Sequence, residues 1–176
     1  MSNITLNNQD LAFTKQIIKQ QVNAWKGQND AVSKFFSKYP DEAYLNEIAP
    51  GRNRAVYLLG HLVAVSDGLM PLLGIGERFY PELEEIFLKN PDKFFAEIPS
   101  VADLKQKWET VNTALTAHFE NMQPEEWLSR HTRVSEEDFA IDPTRNKLNV
   151  LISRTIHQSN HLGQLYLLNE TERLVS

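Results

Sequence analysis

From Leu148 to Leu168 the chain runs for about six helical turns with no proline and no adjacent glycines, and Arg154 is its only formally charged residue. Apolar side chains occur almost all round such a helix, so it must be covered, either at the centre of its own bundle or partly by another subunit. Inside it, the segment Thr155-Ile156-His157-Gln158-Ser159-Asn160-His161-Leu162-Gly163-Gln164-Leu165 sets two imidazoles four residues apart. Side chains at i and i+4 lie one above the other on one helical face, and both rings can converge on a single ion. An isolated pair of this kind is equally at home as two partly buried polar residues with ordinary hydrogen-bond partners.

A third histidine changes the balance. His61 stands in Leu58-Leu59-Gly60-His61-Leu62-Val63-Ala64-Val65, again a polar ring among aliphatic residues on a helical pattern. Burying an imidazole there without a partner costs roughly 1 to 3 kcal/mol. A shared cation would satisfy all three rings at once.

The combination of Gly-His-Leu on the second core helix with a terminal His-x-x-x-His-x-Gly-Gln-Leu resembles the DinB-like family, which includes YfiT-type metal-dependent hydrolases and related thiol-dependent transferases. The resemblance spans nearly the whole chain, although only the His-x-x-x-His-x-Gly-Gln stretch is specific by itself. It implies an all-α, DinB-like four-helix bundle carrying a divalent ion on His61, His157 and His161, with zinc or nickel as the expected metal. It further implies hydrolysis or S-transfer on a small-molecule substrate, with a low-molecular-weight thiol as a candidate partner.

Composition agrees with one domain spanning residues 1–176, since 176 residues with 41% hydrophobic content support one core and not two comfortable ones. The net charge of -5 and the lack of clustered Lys and Arg argue against nucleic acid as a partner. With no cysteine, disulfides, thiolate metal sites and a cysteine nucleophile are excluded, and any metal must use nitrogen and oxygen ligands. The start lacks the pattern of a signal peptide, and no uninterrupted apolar run reaches the roughly 20 residues of a membrane span, so a cytoplasmic protein is expected.

Apolar periodicity predicts a first helix over about 9–38, with Leu11, Phe13, Ile17, Ile18, Val22, Trp25, Val32, Phe35 and Phe36 as its stripe and a bend or frayed turn at Gly27. A connection with one helical turn at 41–45 leads to a second helix over about 54–73, whose inner face carries His61 and which ends at Gly74. Pro81 to Lys89 reads as a short helix that decorates the bundle. A third long helix begins at Ser100 and presents Leu104, Trp108, Val111, Leu115 and Phe119, with His118 beside the stripe and facing solvent. The last helix covers about 146–172.

The stretch 123–146 has no sustained period and is longer than most structureless connections, which are commonly lids or binding loops. Its position directly before the histidine helix predicts that it covers the site, the alternative being a tether across the bundle. Within it, Glu136, Glu137 and Asp138 are the only general-base candidates that position suggests.

Three neutral imidazoles plus water compose an open metal site, in which the fourth position can hold an acidified water or a substrate heteroatom. No HExxH occurs and no histidine has Glu three residues before it, so neither the zincin nor the carboxylate-rich di-iron pattern applies. Gln164, three residues after His161, is open to two readings, an outer-shell hydrogen bond that orients a cofactor-side water or ligand and a plain packing role. Gly163 reads as a point of close helix approach. Two functional classes remain open, a metal-dependent enzyme and a stress-related metal-binding protein without turnover, and the nearly uncharged last helix predicts a homodimer.

Overall fold

The computed structural model describes residues 8–168. Its helices are α1 (Asn8–Phe36), α2 (Ala55–Asp67), α3 (Leu69–Leu73), α4 (Val101–Asn121), α5 (Pro124–Trp127), α6 (Glu136–Ile141) and α7 (Lys147–Leu165), with a 3-10 turn at Asp41–Leu45 and a π-helical turn at Glu85–Lys89. Among the described residues there is no β-strand, only the isolated bridges Glu47 to Arg54 and Arg130 to Asn146. The protein is all-α, as expected.

The long helices form the bundle. α1 packs chiefly on α7 and α2 on α4, while lesser α1–α4 and α2–α7 contacts close the ring. The interior carries the aromatic side chains that the α1 and α4 stripes supply: Trp25 meets Phe119 edge-on at 4.9 Å between centroids, and Phe119 continues to Trp127 at 5.1 Å. At the other end of α1, Tyr44 is fully buried among Phe35 and Phe36, and its hydroxyl donates to the Phe35 carbonyl at 2.7 Å.

Several local expectations are revised. α1 is one helix through Gly27, which faces open space, and its first three turns present Phe13 and Ile17 to solvent at 57% and 52% exposure, so the stripe becomes core only from Ile18 onward. α7 is covered by its own bundle on one side only: Leu148, Leu151, Leu162 and Leu165 are buried there, while Ile156, Ser159, Asn160 and Gly163 are exposed on the other. The segment Ala55–Leu73 is long and apolar enough to cross a membrane by length and composition, yet 67% of it is buried among the other helices, as befits the central helix of a bundle. The expected end of the last helix at Glu172 lies outside the described residues.

The short element after α3 is part of the core and no decoration. Leu83 and Phe87 are fully buried, and the Phe87 ring lies on Gly60 of α2 so closely that an added Cβ would sit 2.3 Å from it. Arg54, at the entrance to α2, clamps this connection: its backbone amide donates to Asp92 at 2.7 Å and its guanidinium to the same carboxylate at 2.7 and 3.0 Å. Burial alone would raise the Asp92 carboxyl, but these bonds outweigh it and hold the group below the usual carboxylate value. Tyr57 adds a hydrogen bond to the Asn90 carbonyl at 2.6 Å.

The long connection is likewise structured. Pro124 starts α5, the Ser135 hydroxyl caps α6 through the Asp138 amide, and Thr132 donates its amide to the Leu72 carbonyl at 3.0 Å, which fastens the loop to the end of α3. Because Phe87 cannot yield without moving the clamped connection, Gly60→Ala should lower folding stability by about 1–3 kcal/mol, the usual penalty for forcing an extra carbon into a packed core. Chemical denaturation of the two proteins measures it, and an unchanged midpoint would mean that the Phe87 ring moves aside freely.

Candidate metal centre

Three rings meet in the groove between α2 and α7. His157 and His161 face each other across one turn of α7 with centroids 4.5 Å apart, and His61 from α2 stands 5.2 and 4.8 Å from them. Their ligand atoms all lie within 4.8 Å of one another. The Nε2 atoms of His61 and His157 are 3.3 Å apart, and those of His157 and His161 are 3.1 Å apart. Metal–nitrogen bonds of about 2.0–2.1 Å at tetrahedral angles put neighbouring ligands about 3.3 Å apart, so these two separations match neighbouring ligands of one first-row ion.

The outer partners decide what those atoms present. The Phe87 carbonyl can only accept, so at 3.0 Å it fixes the hydrogen of His61 on Nδ1 and leaves a lone pair on Nε2. Gln164 Oε1 does the same for His161 Nδ1 at 2.8 Å. His157 carries at most one hydrogen on Nε2 and can serve only one of these lone pairs, whereas a cation serves all three. Its own Nδ1 is buried without a hydrogen-bond partner, so no outer hydrogen bond aims that ring.

Gln164 bonds His161 through its Oε1, and Phe87, a residue that side-chain chemistry would never nominate, acts through its backbone. The only hint of it in the sequence is the apolar Ile86-Phe87-Leu88 inside the charged stretch 84–89. Of the other histidines, His118 is exposed on α4, and His131 lies on the connection between α5 and α6 and outside the cluster. A Cβ added at Gly163 would meet nothing within 4 Å among the described residues, so no other helix of this chain packs closely on it, and Asn160 is exposed.

Among the described residues, no carboxylate belongs to the three-histidine group. Glu136 and Asp138 are exposed and point their charge at Arg130 and Arg145, at 3.7 and 3.4 Å. Deeper in the bundle, the buried Gln158 next to His157 donates to Asn29 of α1 at 2.7 Å, which ties the rotation of α7 to α1.

With the helix order and this cluster in place, comparison with known proteins is informative. A family model described as the DinB superfamily matches residues 24–165, a span that includes all three histidines. The chain belongs to the DinB superfamily. A crystal structure of a conserved protein from Enterococcus faecalis superposes with a TM-score of 0.59 over 85% of this chain and 94% of that one at 14% identity, a likeness that extends to the fold alone. No curated protein matches the sequence.

Burial controls protonation of the site. Desolvation, followed by the neighbouring imidazoles and Arg154, pushes His157 down to about 4, and desolvation also lowers His61. The ordinary histidine value near 6.5 places proton competition just below neutrality; these shifts carry it lower for two of the three rings. In the window between about 4 and 6.5 the unfolded chain holds protons that folded His157 refuses, so stability rises with pH there and is lost as pH falls toward 4. Urea denaturation of metal-free protein across that window should show this slope, and it should be shallower in His157→Gln. An equal slope in the variant would mean that His157 titrates normally.

Proposed function

We propose that this DinB-superfamily protein is a metal-dependent enzyme acting on small molecules, a hydrolase or a small-thiol S-transferase, with one divalent ion, zinc or nickel, held by His61, His157 and His161. The observation that carries the reading is the convergence of three Nε2 atoms, two of them with tautomers fixed by Phe87 and Gln164. A bound ion would supply Lewis acidity, lowering the pKa of a water or thiol at a position the protein leaves free. The chain's own residues do the rest: α2 and α7 present the imidazoles, the two outer hydrogen bonds aim His61 and His161 and raise their basicity, and burial disfavours the protonated forms of His61 and His157.

Imidazole ligands suit several first-row ions, so the donor set alone does not select among them, and zinc or nickel is the expectation carried by the family resemblance. The lack of a carboxylate in the cluster among the described residues supports one second reading, metal binding without turnover, because hydrolysis and thiol transfer both need a group to handle protons. A screen of metal-loaded protein for ester or amide hydrolysis and for conjugation of low-molecular-weight thiols separates the two.

Elemental analysis should give about one metal per chain, since three imidazoles make a single set. His61→Ala, His157→Ala and His161→Ala should each remove most of it, and His118→Ala and His131→Ala should leave it at the wild-type level. Gln164→Ala should weaken affinity by about 10- to 100-fold, the usual effect of removing an outer partner of a ligating histidine. Full stoichiometry and affinity in His61→Ala would overturn the three-ligand reading.

A further inference from the structure

The chain as a whole is acidic, yet one pocket has the opposite character. A cavity of about 360 Å³ opens between the first two turns of α7, Leu72 at the end of α3 and the connection after α5. Arg133, Arg145 and Arg154 line it together with His131, Asn149 and Ser153, and no Asp or Glu is among its lining residues. Arg145 is engaged by Asp138 outside the pocket at 3.4 Å. Arg133 is exposed, and neither it nor Arg154 has a carboxylate partner among the described residues.

Arg154 is the informative member. It is partly buried, and both desolvation and the like charge of Arg133 depress its pKa, so its surroundings penalise the very charge it carries. Elsewhere the protein pairs such groups: Arg54 is met by Asp92 and Arg78 by Glu84. A cation left partly desolvated and unpaired at a pocket wall, with a second guanidinium beside it, is complementary to an anion with two or three acceptor oxygens. Arg154 also precedes His157 by three residues on the same helical face, and its charge acts on both His157 and His61.

We propose that this pocket binds the oxyanion, a carboxylate or a phosphate, of the small molecule whose reacting end lies at the histidine cluster. Arg154 and Arg133 grip the oxyanion, and Ser153 and Asn149 add neutral hydrogen bonds from α7. The substrate class that follows is a small organic acid or phosphate ester with its reactive centre roughly one helical turn, about 5 Å, from the anionic group, the offset between Arg154 and His157 along α7. The role assigned to the histidine end rests on the proposed metal site. Anion binding itself does not.

The test uses the full chain freed of metal by a chelator, at constant ionic strength, titrated calorimetrically with inorganic phosphate and, separately, with acetate. At least one should bind saturably at a single site, and whichever is tighter assigns the oxyanion class. Arg154→Met and Arg133→Gln should each weaken that binding by about tenfold, the worth of one charge-assisted hydrogen bond. Arg133 is exposed, so its variant folds normally even if Arg154→Met does not, and Lys19→Gln on α1 serves as a distant charge control. Metal content of the arginine variants should stay at the wild-type level, since neither side chain is a ligand. Loss of metal binding in the histidine variants with phosphate affinity intact would support an anion site that stands independently of the metal reading. The proposal is overturned if neither anion binds, or if both arginine variants bind as the wild type does.

Discussion

A single hydrogen bond, from His61 Nδ1 to the Phe87 carbonyl at 3.0 Å, connects the packing of this bundle to its chemistry. It fixes the tautomer that turns the Nε2 lone pair of His61 toward α7, and it exists only because the 81–92 connection is pressed against α2. The ring of the same residue that supplies the carbonyl rests on Gly60, one position before the histidine, so side chain and main chain of Phe87 address adjacent residues of one helix. Arg54 and Asp92 close the arrangement from the other end. The geometry of the imidazoles is thus set by core packing and by an ion pair whose carboxylate is nearly inaccessible, with only 4% of its side chain exposed.

The α7 side of the site is built by simpler means. Four-residue spacing stacks His157 over His161, and Gln164 reaches back three residues to aim the second ring. Asn29 and Gln158 set the rotation of the helix from within the core. Around this neutral, partly desolvated cluster the protein places Arg154, whose charge disfavours protonated imidazole and favours an approaching anion. Net charge conceals this, because a chain at -5 overall still concentrates three arginines around one pocket.

The histidines were legible in the sequence because helical spacing is a local property: His157 and His161 share a face whatever surrounds them, and His61 declares itself as a polar ring in an aliphatic run. Bundle helices were legible for the same reason, down to the Ser100 cap and the Gly74 stop, which adopts the left-handed conformation with φ 67°. What local pattern could not show is contact at a distance. Phe87 acts through a carbonyl, which every residue has, on a histidine 26 positions earlier. The 123–146 connection lacks a period because α5 and α6 are too short to display one, and its order comes from caps and from Thr132 bonding to the end of α3. Phe13 and Ile17 continue the α1 stripe in sequence but run past the end of the neighbouring helices' cover, so pattern and burial part company there.

The account stands or falls on whether the three Nε2 atoms are ligands of one ion. A crystal structure of the zinc-loaded protein, with anomalous scattering recorded on both sides of the zinc edge, reads this directly. The expected result is one strong anomalous peak in the α2–α7 groove, within about 2.0–2.1 Å of Nε2 of His61, His157 and His161. An anomalous peak at His118 or His131 with none between the three rings, or an ion bound through Nδ1 with the Phe87 and Gln164 hydrogen bonds broken, would contradict it.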